Sequence, residues 1–113
     1  MCGVVGIISK TVVEKGPFVK TIDALHHRGP DAQGVFYNEA GTVAVGHTRL
    51  SIIDLSNAAN QPFVSRNQRY VIVFNGEIYN FQSIREELER DHGIQFKTHS
   101  DTEVVVEAFA IWK

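Results

Sequence analysis

A chain of 113 residues, 43% apolar and 21% charged, has the size and composition of one globular domain, which excludes a disordered tail and a fibrous repeat. Eleven basic side chains against thirteen acidic leave a net charge of -2. The Lys and Arg residues are scattered along the chain, so neither nucleic acid nor an anionic membrane surface is an expected partner. No apolar run approaches the roughly 20 residues of a membrane helix. The opening Met1-Cys2-Gly3-Val4-Val5 lacks the basic-then-apolar order of a secretory signal, and a cytoplasmic location is expected. The single cysteine excludes an internal disulfide and every multi-cysteine zinc site.

Gly3 to Ile8 is short, apolar and β-branched, the pattern of a strand buried on both faces. Pro17 suits the first turn of a helix whose Phe18, Ile22 and Leu25 share a face, with Gly29-Pro30 as its stop. Val35 to Tyr37 and Thr42 to Leu50 flank Asn38-Glu39-Ala40-Gly41, a hairpin signature. Alternation in the second strand sets Val43, Val45, His47 and Arg49 on one side. Ser56 to Gln61 reads as a polar loop closed by Pro62. Tyr70 to Phe74 reads as a buried strand running into the turn-forming pair Asn75-Gly76. Asn80 is placed to cap a helix through Asp91 that buries Phe81, Ile84 and Leu88 and stops at Gly93. Ser100-Asp101-Thr102-Glu103 has capping-box spacing. The helix that follows is apolar on two sides through Val104, Val105, Ala108, Phe109 and Trp112, and is expected to need neighbours on both flanks, part of that cover lying beyond residue 113.

Cys2 carries the most chemical information. Removal of Met1 would leave it with a free α-amine, which titrates near about 7.7 to 8.0 beside a thiol near about 8.5, so one residue would supply both nucleophile and base. Taken alone, it reads rather as a small core hydrophobe at the start of a strand. The segments His27-Arg28-Gly29-Pro30-Asp31, Gly46-His47-Thr48-Arg49-Leu50-Ser51-Ile52-Ile53-Asp54, Asn75-Gly76-Glu77-Ile78-Tyr79-Asn80 and Ser100-Asp101-Thr102-Glu103-Val104 join the opening Met1-Cys2-Gly3-Val4-Val5-Gly6 in order. Together they resemble the N-terminal glutaminase domain of class II glutamine amidotransferases. Pro30 between Gly29 and Asp31, and Leu50-Ser51-Ile52 after Arg49, favour the asparagine synthetase type over the sugar-phosphate and purine branches.

The resemblance implies an α+β N-terminal-nucleophile hydrolase fold, an αββα four-layer sandwich. Residues 1–113 would be the N-terminal portion of the glutaminase domain and the C-terminal synthetase domain would be absent. It implies Cys2 as nucleophile, with the Asn75 amide and Gly76 N–H as oxyanion donors. It implies a glutamine pocket made by Arg49, Leu50, Ser51, Ile52, Ile53, Asn75, Gly76, Glu77 and Asp101. Arg49 would grip the α-carboxylate with its planar fork of donors, and Asp101 would accept the α-ammonium. The partners implied are L-glutamine and a synthetase domain or separate ammonia-accepting subunit, with room for a homo-oligomer. No metal or cofactor is expected in this segment; ATP and magnesium are implied for the synthetase domain.

Blander readings stand beside these. Asn75-Gly76 reads by itself as a hairpin turn and Asp101 as a carboxylate at a helix start. Arg49 has an ordinary surface arginine as its bland reading, but its place on the strand face with Val43, Val45 and His47 favours partial burial. Arg28 to Asp31 reads as architecture and His47 as a packed, satisfied histidine. His92 and His99 lack metal-ligand spacing. A Cys-His hydrolase using Cys2 with His26, His27 or His47, an amidotransferase serving another acceptor such as a sugar, and a non-catalytic interaction fragment are the competing functions.

Overall fold

The computed structural model describes residues 2–51 and 56–113. They form two compact α+β units, one comprising the chain up to Ser51 with Asn60–Pro62 and Val73–Gly76, the other comprising Phe63–Ile72 and Glu77–Lys113 with the short turn at Asn57–Ala59. Among the described residues no helix is long and apolar enough to cross a membrane.

The first unit is built on a three-stranded antiparallel sheet of β1 (Gly3–Ile8), β2 (Ala32–Tyr37) and β3 (Val43–Arg49), in the order β1-β3-β2. Asn38 makes the β2–β3 turn: its Oδ1 accepts from the N–H groups of Thr42 at 2.8 Å and Val43 at 2.9 Å, while Gly41 takes the left-handed φ of 73° that a side chain resists. Gly3 pairs with Thr48 and Val5 with Gly46, so Ala44, Gly46 and Thr48 share one face. Helix α1 (Lys15–Asp23) packs on that face. Ile22 lies so close to Gly46 that a Cβ there would meet its Cδ1 at 2.6 Å. Val13, Phe18, Ile22 and Ala44 form the core, flanked by Val5 and Tyr37.

The expectation of β1 buried on both faces is corrected. Among the described residues it is an edge strand, paired only with β3, and Val4 and Ile8 are 44% and 86% exposed. The first helix also stops earlier than Gly29-Pro30. After Asp23 the chain tightens into a 3-10 turn at His26–Arg28, because the Leu25 carbonyl accepts from the Thr48 hydroxyl at 3.0 Å and from the Arg28 N–H at 2.9 Å. Gly29 then presses against the Thr48 and Arg49 backbone, where no Cβ fits.

The second unit holds the strand pair β4 (Phe63–Val64) and β5 (Val71–Ile72) and the helices α2 (Phe81–His92) and α3 (Asp101–Trp112). The expected buried strand from Tyr70 to Phe74 is reduced to Val71–Ile72, half-buried, because its partner strand pairs only two residues. The hairpin turn lies at residues 65–70, with the Ser65 N–H on the Tyr70 carbonyl at 2.9 Å. Asn75-Gly76 is therefore not the hairpin turn, and neither residue takes a positive φ. Asn80 occupies the start of α2 without a side-chain capping bond, whereas Gly93 ends it at a left-handed φ of 63°.

Ser100 caps α3 by accepting the Thr102 N–H at 3.1 Å. Glu103 departs from the capping-box pattern. Its carboxylate passes over the Ser100 N–H and takes the N–H groups of Lys97 at 2.9 Å and Thr98 at 2.8 Å, with the Thr98 hydroxyl at 2.7 Å. Val104 and Val106 are buried, but Phe109, Ile111 and Trp112 are exposed, so cover on both flanks is not seen.

Ile22→Ala is expected to destabilise the chain by about 2 to 5 kcal/mol, because the side chain is fully buried against a glycine that cannot fill the space. Urea denaturation of the variant beside the native chain measures it.

Candidate active site

Two backbone bonds tie down the residue at the head of β1. The Leu50 N–H donates to the Cys2 sulfur at 3.3 Å, and the thiol faces the Leu50 carbonyl at 3.7 Å. One residue later the Gly3 N–H donates to the Thr48 hydroxyl at 3.1 Å, and that hydroxyl itself donates to Leu25. Thr48, fully buried, thus anchors the strand that carries the thiol. Sequence reasoning passed over it because alternation put it on the helix face, with nothing to mark it as more than core. Cys2 is half-buried and is bonded to the Leu50 backbone rather than to a histidine; His26 and His27 are exposed on the 3-10 turn.

Arg49 is buried, at 7% exposure, which overturns the surface-arginine reading. Its Nη1 donates to the Asn60 Oδ1 at 2.6 Å, and its carbonyl accepts the Asp31 N–H at 2.9 Å. Asp31 closes the loop from the other side, its Oδ2 accepting the Ser51 N–H at 2.8 Å. The N–H groups of Leu50 and Ser51 are thus engaged by Cys2 and Asp31, and the run Arg49-Leu50-Ser51 is held in one shape beside the sulfur. Ile52 and Ile53 lie outside the described residues.

Asn75 and Gly76 belong to the same unit as Cys2 and Arg49, and both are exposed. The chain reaches them through Phe74, whose N–H donates to the Gln61 Oε1 at 2.6 Å and whose carbonyl faces the His47 Nε2 at 3.2 Å. Gln61 is a second residue that sequence reasoning missed; its place in a polar loop before Pro62 gave no signal. Glu77 and Asp101 belong to the other unit. Glu77 is exposed, while Asp101 is buried at the start of α3 and accepts the Ile78 N–H on Oδ2 at 2.9 Å. Asp101 is therefore a helix-start carboxylate that also fixes the backbone just beyond Asn75-Gly76-Glu77. Among the described residues no group of three or more His, Cys, Asp or Glu side chains is placed to hold a metal ion.

His47 is 1% exposed, and its Nδ1 has no hydrogen-bond partner among the described residues. It is packed, as expected, but only half satisfied. Burial pushes its pKa below the ordinary value of about 6.5; the Phe74 carbonyl opposes that shift and the Arg49 charge adds to it. The native state keeps His47 neutral where the unfolded chain begins to take up a proton. Its stability contribution is therefore present above about pH 6.5 and is lost as pH falls below that toward the lowered native value. Unfolding free energy measured at about pH 7.5 and about pH 5.5 should fall toward acid, and the fall should be smaller in His47→Gln.

A model described as glutamine amidotransferase domain matches residues 1–113. Asparagine synthetase [glutamine-hydrolyzing] 1 of Bacillus subtilis is 42% identical over 118 residues, covering 100% of this chain and 18% of the relative. A putative asparagine synthetase [glutamine-hydrolyzing] of Mycobacterium tuberculosis is 34% identical over 127 residues, 99% of this chain and 19% of the relative. Amidase chry2 of Gibberella zeae is 39% identical over 98 residues, 87% of this chain and 14% of the relative. The chain thus spans about a fifth or less of the length of these relatives. Over its whole length it belongs to the glutamine amidotransferase domain family.

Proposed function

We propose that this segment hydrolyses L-glutamine to glutamate and ammonia through a Cys2 thioester, within an N-terminal-nucleophile hydrolase fold of which residues 1–113 are the N-terminal portion. The observation that carries the reading is the bond from the Leu50 N–H to the Cys2 sulfur. It keeps the nucleophile at the residue next to Arg49, the side chain suited to holding the substrate α-carboxylate.

In this mechanism Met1 is removed and the Cys2 α-amine takes the thiol proton, directly or through water. The sulfur attacks the side-chain amide carbon of glutamine, and the carbonyl oxygen becomes an oxyanion held by the Asn75 amide and the Gly76 N–H. Collapse expels the amide nitrogen as ammonia, which leaves with the proton returned from the α-ammonium, and a γ-glutamyl thioester remains. Water, deprotonated by the α-amine, attacks the thioester and releases glutamate and the free thiol. Asp101 and Glu77 would meet the substrate α-ammonium. Asp101 has a second oxygen beyond the one that accepts Ile78, so the structural and binding roles are compatible. Ile52 and Ile53 would extend the pocket.

The ammonia acceptor would belong to another part of the protein or to a partner subunit. Relatives named asparagine synthetase [glutamine-hydrolyzing] support asparagine synthesis as the second half-reaction, for which aspartate is the proposed co-reactant, with ATP and magnesium. No step here runs through either group. A sugar or another acceptor remains the alternative for the second half-reaction. The exposed Phe109, Ile111 and Trp112 are what favours the competing reading of a non-catalytic interaction fragment.

The chain lacking Met1 should release glutamate from glutamine, and a glutamine-like electrophile such as a diazoketone analogue should add its mass to the Cys2 peptide alone. Mass spectrometry that finds no adduct, with no glutamate formed, returns the fragment reading. In the same assay Asn75→Ala should lower kcat by roughly 10²- to 10³-fold with a modest change in KM, the effect of losing one oxyanion donor.

A further inference from the structure

We propose that His47 and Gln61 are positioning residues for this reaction: together they clamp the backbone of Phe74 and so set the aim of the Asn75 amide and the Gly76 N–H. The proposal rests on the glutamine-hydrolysis reading above and assigns to it two residues that do not touch substrate.

Phe74 lies two residues past the end of β5, where no strand ladder serves its peptide groups. Backbone polar groups away from water need partners. Here both partners are side chains, Gln61 Oε1 on the N–H at 2.6 Å and His47 Nε2 on the carbonyl at 3.2 Å. Both are buried, at 9% and 1% exposure, so the bonds are shielded from competing water. A residue held at both its donor and its acceptor has little freedom about the bonds that lead into the next two peptides, and those carry the oxyanion donors.

The clamp is mounted on the central strand of the three-stranded sheet. His47 sits in the central strand, opposite Val4 on one side and Gly34 on the other. Gly34 is where the Gln61 backbone lies against the sheet, since a Cβ at residue 34 would collide with the Gln61 carbonyl oxygen. One pair of facing residues, His47 and Gly34, thus seats both arms. The orphaned Nδ1 fits the same scheme. A neutral ring that donates from Nε2 leaves only a lone pair at Nδ1, whereas the other tautomer would bury an N–H without an acceptor and turn a lone pair toward the Phe74 carbonyl.

The test uses the full chain without Met1, as native protein, His47→Leu and His47→Gln. Loss of the donor in His47→Leu should lower kcat for glutamine roughly 10- to 100-fold, the scale of a misplaced reacting group, with KM within about threefold. Alkylation of Cys2 by iodoacetamide, which needs no oxyanion donors, should keep its native rate. His47→Gln, whose amide can donate to the same carbonyl, should recover most of the lost kcat. Native-like turnover in His47→Leu overturns the proposal, as does a loss that appears equally in iodoacetamide alkylation and is not rescued by Gln. Should His47→Leu fail to fold, the ring nitrogens of the native protein decide by NMR. A proton on Nε2 supports the clamp, and a proton on Nδ1 overturns it. If the native chain neither turns over glutamine nor traps the electrophile on Cys2, the glutamine reading itself fails and the proposal falls with it; an active native chain indifferent to His47→Leu removes the positioning role alone.

Discussion

The first unit depends on one constraint, that β3 is paired along both edges and must serve two different faces. On one face it carries Ala44, Gly46 and Thr48, small enough for Ile22 of α1 to approach the backbone directly. A larger residue at 46 would lift the helix and open the core beneath it. On the other face His47 and Arg49 are buried with their polar atoms directed at Phe74 and Asn60. Burying two such side chains on the middle strand is costly unless they are bonded. The bonds they make go to the segments 60–62 and 73–76, which return to this unit from elsewhere in the chain. The apolar face thus sets where the sheet lies, and the polar face draws in the segments that bear Asn75 and Gly76.

A second theme runs through both units: side-chain acceptors, rather than sheet ladders, hold the loops. Asn38 takes the N–H groups of Thr42 and Val43, Asp31 that of Ser51, Gln61 that of Phe74, Asp101 that of Ile78, and Glu107 that of Arg66 at 2.7 Å. Glu103 takes two N–H groups and a hydroxyl. Several of these acceptors are carboxylates, whose bonds to N–H groups are stronger than those of neutral oxygens. Two of the β-strands span only two residues each, so loop geometry here depends on buried side chains. The acidic excess in the composition is partly explained in this way, because Glu103 and Glu107 are interior scaffolding on α3 rather than surface charge.

These devices also mark what could be read from the amino-acid order. Hydrophobic periodicity located α1, α2 and α3, where Phe18, Ile22, Leu88 and Val104 are buried as their spacing requires, although Phe81 and Ile84 are only half-buried and Phe109 and Trp112 are exposed. Short apolar runs located β1 and the β2–β3 hairpin. Asn38-Gly41 and Gly93 were legible because positive φ restricts the residue type. Periodicity could not distinguish an edge strand from a central one, so β1 read as buried although it has a single partner. It also overstated β5, where the apolar run Tyr70 to Phe74 outlasts the two residues that find a ladder. Within the candidate site, Cys2, Arg49, Asn75 and Asp101 stood out through side-chain chemistry or local motif. Thr48 and Gln61 did not, because their roles are bonds to backbone groups 23 and 13 residues away in sequence, and no local pattern records such a pairing.

The proposed nucleophile at the head of an edge strand faces a mechanical difficulty, since chain ends fray unless something ties them down. Among the described residues β1 has neither a second neighbouring strand nor a covered outer face to stiffen it. Besides its six-residue ladder with β3, side-chain ties hold Gly3 through the Thr48 hydroxyl and, just before the strand, Cys2 through the Leu50 peptide. Both lead to the same short run of β3 and the residue after it, which also contains Arg49. The position of the sulfur is therefore referred directly to the strand that carries the proposed carboxylate clamp. In the proposed mechanism the Cys2 α-amine freed by removal of Met1 would have to stay accessible while the thiol beside it is held. Bonding the thiol and the next peptide N–H, and leaving the amine out of both bonds, meets the two demands together.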